Sequence, residues 1–327
     1  MPVTSRRRIL AAAPLLAAPG LARAQGSAGA WPNGPVRIVV PFPPGGSVDA
    51  VARLVQPHLQ AELGVSVVIE NRAGASGALG AAQVARAAPD GQTFLHVFDT
   101  HAVNPALIPN LGYDTQKDLS PVLLFGTAPM VVTTPKGRPW ADVPAMLAAA
   151  KAKPDTLTFG TIANGSLAHL TMMLLQKAAA VGLVHVPYRG GGPLAIAAAA
   201  GEVDLPTATG TIFAQQIQAG SLRVLASTGP KRWSGGPEAP TLQELGIPVE
   251  AEAFWGALAP TGTPVPIQAR YAEALRRAMA VPAVQERLVN VMGIDLAPRD
   301  GAAFRDFLAQ QIETWGKVVR DNAIKPD

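Results

Sequence analysis

The segment Pro41 to Leu54, PFPPGGSVDAVARL, directly follows the apolar run Val36 to Val40 and constrains the local fold more than any other stretch of the chain. A β-branched run ending in Pro and Gly, then a short polar residue, then a helical pattern describes a buried strand turning sharply into a helix. Gly45 and Gly46 permit the turn and leave no side chain between the backbone and a ligand. The helix that follows directs unpaired amides and the positive end of its dipole at the opening, which suits an anion. A plain connecting loop has the same local pattern, so the rest of the chain must decide between them.

Downstream, short β-rich runs alternate with helical segments, as expected of α/β domains built on mostly parallel sheets. Val51, Leu54, Val55 and Leu59 share one helical face, and strands are predicted near Val65 to Glu70 and at Thr93 to Phe98 with a helix between Ser76 and Pro89. A second series follows: helices at Asp142 to Ala152, after Gly165 and at Pro193 to Ala200, with strands at Leu157 to Phe159, Val184 to Val186, near Val203 and at Leu222 to Ala226. Thr241 and Glu244 have capping-box spacing and start a short helical turn. The last three predicted helices, Pro266 to Met279, Pro282 to Val291 and Asp300 to Asn322, have no strands of their own apart from Ile294 to Leu296, so they need the first sheet to pack on. That implies a discontinuous first domain, 31–128 with 255–327, and an inserted second domain, 129–254. Crossings are expected near Pro129 to Pro135 and Phe254 to Pro260.

The first 24 residues read as a Tat-type export signal. Ser5-Arg6-Arg7-Arg8-Ile9-Leu10 is a twin-arginine pattern, and the apolar stretch Ile9 to Ala22 leads into the small-x-small site Ala22-Arg23-Ala24. The stretch is shorter than the roughly 18 to 20 residues that span a bilayer, and Pro14, Pro19 and Gly20 interrupt it. The chain has no cysteine, which rules out both a lipid anchor through an N-terminal Cys and a disulfide framework. The whole chain carries 27 basic and 23 acidic side chains, and losing Arg6, Arg7, Arg8 and Arg23 brings the mature protein to formal neutrality. With no cluster of Lys and Arg interleaved with aromatics, nothing in the sequence tracks a nucleic-acid backbone. The composition, 48% apolar and 15% charged, supplies core for two domains.

Enzymatic signatures are missing. Gly74-Ala75-Ser76-Gly77 lacks the spacing of a nucleophile elbow, and Gly74, Gly77 and Gly80 do not make a dinucleotide fingerprint. The five histidines show no HExxH pairing for a metal, and Ser166 and His169 lie within one helical turn with no orienting acid. No catalytic residue, metal or cofactor is expected.

Six segments occur in an order that resembles one family: WPNGPVRIVVPFPPGGSVDAVARL (Trp31 to Leu54), VVIENRAGASGALGAAQVARAAPDGQT (Val67 to Thr93), HAVNPAL (His101 to Leu107), HVPYRGGGP (His185 to Pro193), APT (Ala239 to Thr241) and FWGALAPTGTP (Phe254 to Pro264). They are similar to those of the Bug receptors, the extracytoplasmic solute-binding proteins of tripartite tricarboxylate transporters. The resemblance covers essentially the whole mature chain. It implies an α/β, two-domain type II periplasmic binding protein, or Venus flytrap, in which each domain is a mostly parallel sheet flanked by helices and a hinge closes on the ligand.

The family holds a ligand carboxylate with backbone amides and ordered water from loops of both domains. Carried onto this chain, the first loop offers Phe42 as an apolar wall, Gly45, Gly46 and Ser47 as donors, and Asp49 either as a ligand contact or as a helix-start residue. The second loop, Thr161 to His169, offers Ala163, Asn164, Gly165, Ser166 and His169, although a lone histidine also packs structurally. Many relatives carry serine and glycine where this chain has Ile162 and Ala163, which implies a more apolar rim. Tyr188 and Arg189 precede Gly190 to Gly192. Arg189 can contact a carboxylate or form a surface ion pair. Thr207, with Thr209, and more weakly Thr100 and His101, complete the candidates. The expected function is a monomeric periplasmic protein that captures a small carboxylate for the membrane permease subunits of a tripartite tricarboxylate-type transporter. The alternatives are a secreted hydrolase on a similar scaffold and a ligand sensor for a membrane signalling protein.

Overall fold

A computed structural model describes Met1 and residues 31 to 326. The export-signal residues Arg6 to Ala24 lie outside the described residues. No described helix is long and apolar enough to cross a membrane.

The opening strand, turn and helix form as the sequence dictates: β1 (Val36–Val40) is followed by α1 (Ser47–Leu63) and β2 (Val67–Asn71). A short 3-10 turn leads into α2 (Ala78–Ala85), then β3 (Thr93–Val97) and α3 (Thr100–Leu107). β1 pairs in parallel with both β2 and β3. β4 (Leu119–Pro135) is followed by α4 (Val143–Ala152), β5 (Thr158–Thr161), α5 (Leu167–Ala179), β6 (Val184–Pro187) and α6 (Gly191–Ala200). Next come β7 (Leu205–Thr209), α7 (Gly210–Gln218), β8 (Leu222–Ser227) and β9 (Glu252–Pro260). β5 pairs in parallel with β6 and β7. The C-terminal elements are α8 (Val265–Ala280), α9 (Pro282–Glu286), a π-turn (Arg287–Val291), β10 (Asp295–Asp300) and α10 (Gly301–Asp321).

The two parallel groups are not separate sheets. One path runs β2-β1-β3-β9-β4-β7-β5-β6, with β8 and β10 also paired to β4. The seventeen residues of β4 pair with β9 and β10 over their first part and with β7 and β8 over their second, all antiparallel. The sequence places a crossing near Pro129 to Pro135, and the strand that makes it begins at Leu119 and runs through Pro121, Gly126 and Pro129, residues that ordinarily interrupt a strand. The strand tolerates two of them at register shifts, between Pro121 and Leu123 and between Leu124 and Gly126, where ladder bonding is already interrupted.

The C-terminal helices pack where the sequence required them. Tyr271, Leu275 and Ala278 of α8 join Val36 and Ile38 of β1 in one buried cluster, and Phe304 and Leu308 of α10 join Val39 and Leu95 in another. Tyr271 stacks on Phe94 at 3.6 Å, and its hydroxyl lies 3.1 Å from His96 Nε2. The other half has its own core around Val132, Phe159, Met172, Leu205 and Leu225. The Thr241/Glu244 capping box is reciprocal: the Glu244 amide donates to Thr241 Oγ1 at 3.0 Å and the Thr241 amide donates to Glu244 Oε2 at 2.8 Å.

Two helices were not legible. α3 carries Pro105, which disfavours a helix interior but sits in its last turn, where fewer intrahelical bonds follow it. α7 begins with Gly210, Thr211 and Ile212, residues of low helix propensity, and forms because Phe213 and Ile217 bury against Val131 and Leu194.

Candidate functional site

The turn after β1 is held from behind. Gly45 adopts φ +83°, and its amide donates to Asp49 Oδ2 at 2.9 Å, an oxygen that also accepts from Arg53 Nε at 2.9 Å. Asn71 at the end of β2 donates to Asp49 Oδ1 at 2.9 Å and to the Phe42 carbonyl at 3.1 Å. Burial pushes the Asp49 carboxyl up, but Arg53, the Gly45 amide and Asn71 together outweigh it and hold the group below the ordinary carboxylate range. Asp49 is 2% exposed with both oxygens engaged, so from the first turn of α1 it braces the loop.

The braced loop faces the β6–α6 turn across a cleft of about 110 Å³. Phe42, Pro43, Gly46 and Ser47 form one wall; Ile162, Arg189 to Pro193 and Ile212 form the other, with Phe98 at the floor. A wider groove of about 650 Å³ lies outside it, lined by Gly45, Gly46, Arg53, Gln215 and Arg287 among others. The N-terminus of α1 and that of α6 open on this space, and neither has a side-chain cap. Gly190, at φ +104°, sets the entry to α6, and its amide is bonded to the Ile162 carbonyl at 2.9 Å, which ties the two loops of the second half together. Uncapped amides from two helices on opposite walls can hold an anionic group without a charged side chain.

Five sequence-predicted residues therefore line the cleft or its groove: Phe42, Gly45, Gly46, Ser47 and Arg189. The second-half loop is turned differently from the expectation. Asn164 donates to the Lys325 carbonyl at 2.8 Å, away from the cleft. Gly165 is buried against Leu107 of α3, and its amide donates to His169 Nδ1 at 3.0 Å. Ser166 caps α5 by accepting from the His169 amide, and its hydroxyl donates to the Ala163 carbonyl at 2.8 Å. His169 stacks on His185 at 3.9 Å. Tyr188 packs beside Gly160, and Thr207 is fully buried, with its hydroxyl donating to the Leu205 carbonyl. The reason is local geometry. The capping turn uses the polar residues internally and presents Ile162, Leu167 and Ala168 to the space between the halves.

Sequence reasoning named Thr209 among its candidates but missed Phe98, Ile212 and Asp99, which lies with Thr209 at the inner end. These residues line a small chamber that continues inward from the cleft. Two of the missed residues follow strands directly, and Thr209 ends one. That topology, the carboxyl end of a strand in an α/β sheet, was the available signal.

Three histidines away from the cleft walls set an expected pH response. Burial lowers His96 to about 3 and His101 to about 4. Burial, then the neighbouring His169, lowers His185 to about 3. A histidine held neutral in the fold loses stability to the unfolded chain as soon as the unfolded chain takes up a proton, below about pH 6.5. Asp99 and Glu252, raised by burial, act with the opposite sign, because the fold keeps protons that the unfolded chain releases. With three bases against two acids, the net direction is a loss of stability as pH falls from about 6.5. Calorimetric melting temperatures should fall with it. A flat profile would mean that at least one of these histidines takes a proton without unfolding.

The chain matches the family profile described as "Tripartite tricarboxylate transporter family receptor" over residues 51–324. It is similar to protein BugT of Bordetella pertussis, at 34% identity over 91% of this chain and 92% of that protein. Among solved structures, R. palustris Rpa4515 with adipate superposes at a TM-score of 0.83 with 30% identity, covering 91% of this chain and all of that one. MatC from Rhodopseudomonas palustris with bound malate superposes at 0.79 with 31% identity, covering 88% of this chain and all of that one.

Proposed function

The chain belongs to the tripartite tricarboxylate transporter receptor family, and on that premise we propose that it is a periplasmic solute-binding protein that captures a small carboxylate and delivers it to the membrane subunits of such a transporter. The observation that carries this reading is the convergence of the uncapped α1 and α6 N-termini on one glycine-lined cleft. The adipate and malate held by similar structures support the same ligand class. The twin arginines Arg6 and Arg7 direct export, and cleavage after Ala24 leaves a monomeric chain beginning at Gln25. Native mass spectrometry of protein recovered from the periplasm should give that chain and release a carboxylic acid on denaturation. Retention of Met1 would overturn the export reading. A ligand-free protein whose melting temperature no carboxylic acid raises would overturn the binding reading.

The two halves, 31–128 with 255–327 and 129–254, act as domains. The covalent crossings are β4 and β9, which pair at Ala128 with Ala253 and at Pro129 with Glu252. Because the cleft walls come from different halves, a ligand gains its full set of contacts only in the closed form and shifts the population toward it. Small-angle scattering should show a smaller radius of gyration when ligand is added to ligand-stripped protein. Saturation with no change in scattering would replace hinge closure with a pre-closed site.

A further inference from the structure

The chamber beneath the cleft is bounded by Asp99, Thr209, Phe98, Ile162, Met130 and Ile212, among others. Phe98, Ile162 and Ile212 line both spaces, so the chamber is the inward end of the cleft. Asp99 is 1% exposed, and neither carboxyl oxygen has a hydrogen-bond partner of acceptable geometry. Thr209 is also 1% exposed, and its hydroxyl oxygen is unpartnered too. Unsatisfied buried acceptors are costly, and three of them bordering one small space need a common explanation.

We propose that this chamber receives a primary ammonium group of the ligand, so that the captured solute is an amino-carboxylic acid whose carboxylate lies against the α1 and α6 amides. The proposal rests on the carboxylate-capture reading and names its substrate class. Size is the first argument. The chamber holds about 10 Å³, enough for one water-sized group and too little for the three heavy atoms of a carboxylate. Donor count is the second. An ammonium carries three N–H donors and no acceptor, matching Asp99 Oδ1, Asp99 Oδ2 and Thr209 Oγ1, whereas a hydroxyl supplies one donor. Charge is the third. Apart from Asp99 the lining has no charged side chain, so the cation that a buried carboxylate requires must come with the ligand. Burial pushes the Asp99 carboxyl well above its usual range, against the opposing pull of the Thr100 amide, and a bound cation would offset that cost.

The test is isothermal calorimetry on the mature, ligand-stripped protein with matched triplets that differ at one heavy atom. They are L-aspartate, L-malate and succinate; L-glutamate, 2-hydroxyglutarate and glutarate; L-alanine, L-lactate and propionate; and L-phenylalanine, phenyllactate and phenylpropionate. In whichever triplet binds, the amino member should be at least 100-fold tighter than the other two. Asp99→Asn should remove that advantage. If Asp99→Asn does not fold, Thr209→Val deletes a single acceptor and should weaken the amino member alone by about tenfold. Equal or tighter binding of a hydroxy or unsubstituted acid, or an unchanged amino preference in the variant, overturns the assignment while carboxylate capture stands. Binding of no carboxylic acid at all removes both.

Discussion

Gly46→Val is expected to weaken ligand binding by at least 100-fold, about 2.7 kcal/mol, while the protein stays folded. Gly46 has φ −75°, which any residue adopts, so the substitution strains no backbone. An added Cβ would lie 3.5 Å from the Pro43 carbonyl oxygen, an ordinary contact. The two γ-methyls of valine must then project into the space that Gly46 lines, both in the cleft and in the outer groove. They would stand between the ligand and the amides of the first α1 turn, which on the proposed reading hold its carboxylate by close approach of backbone. Calorimetry with the acid identified by mass spectrometry checks the affinity, and a melt checks the fold. Unchanged affinity in a folded variant would remove this loop from the site.

Trp255→Ala should be the most damaging core substitution, at about 3–5 kcal/mol, which for a chain of this size lowers the melting temperature by on the order of 10 °C. Trp255 is fully buried on β9, the strand that joins β3 to β4. Its ring lies 5.1 Å from that of Phe98, so the cavity left by alanine would open directly behind the cleft floor. The indole N–H has no partner, and its removal offsets part of the loss, by about 1 kcal/mol. Because Phe98 would lose its backing, ligand affinity should fall together with stability. Urea unfolding with an unchanged m-value and a lowered midpoint checks the first effect. A shift below about 1 kcal/mol would mean that Phe98 and its neighbours collapse into the vacated space.

Local chemistry was legible wherever the interacting residues are close in sequence. The strand, turn and helix of Val36 to Leu63, the Asp142 and Ser166 caps and the Thr241/Glu244 box all form as their residue types require. Asp49 shows where that reading stops. Its charge at a helix start was visible, but its partner Asn71 comes from β2, and only that bond tells a loop brace from a ligand contact.

By itself the sequence determined the α/β alternation, the need of α8 and α10 for a sheet made elsewhere, and the first wall of the cleft, because periodicity, caps and turn residues act over a few positions. The tertiary structure decided that β4 threads both halves, that the polar residues of the capping turn before α5 are used away from the cleft, and that Asp99 and Thr209 border its inner end. These outcomes depend on which surfaces are pressed together once the sheet has formed. A side chain's direction is then set by packing against residues far away in the chain, and no local pattern encodes it.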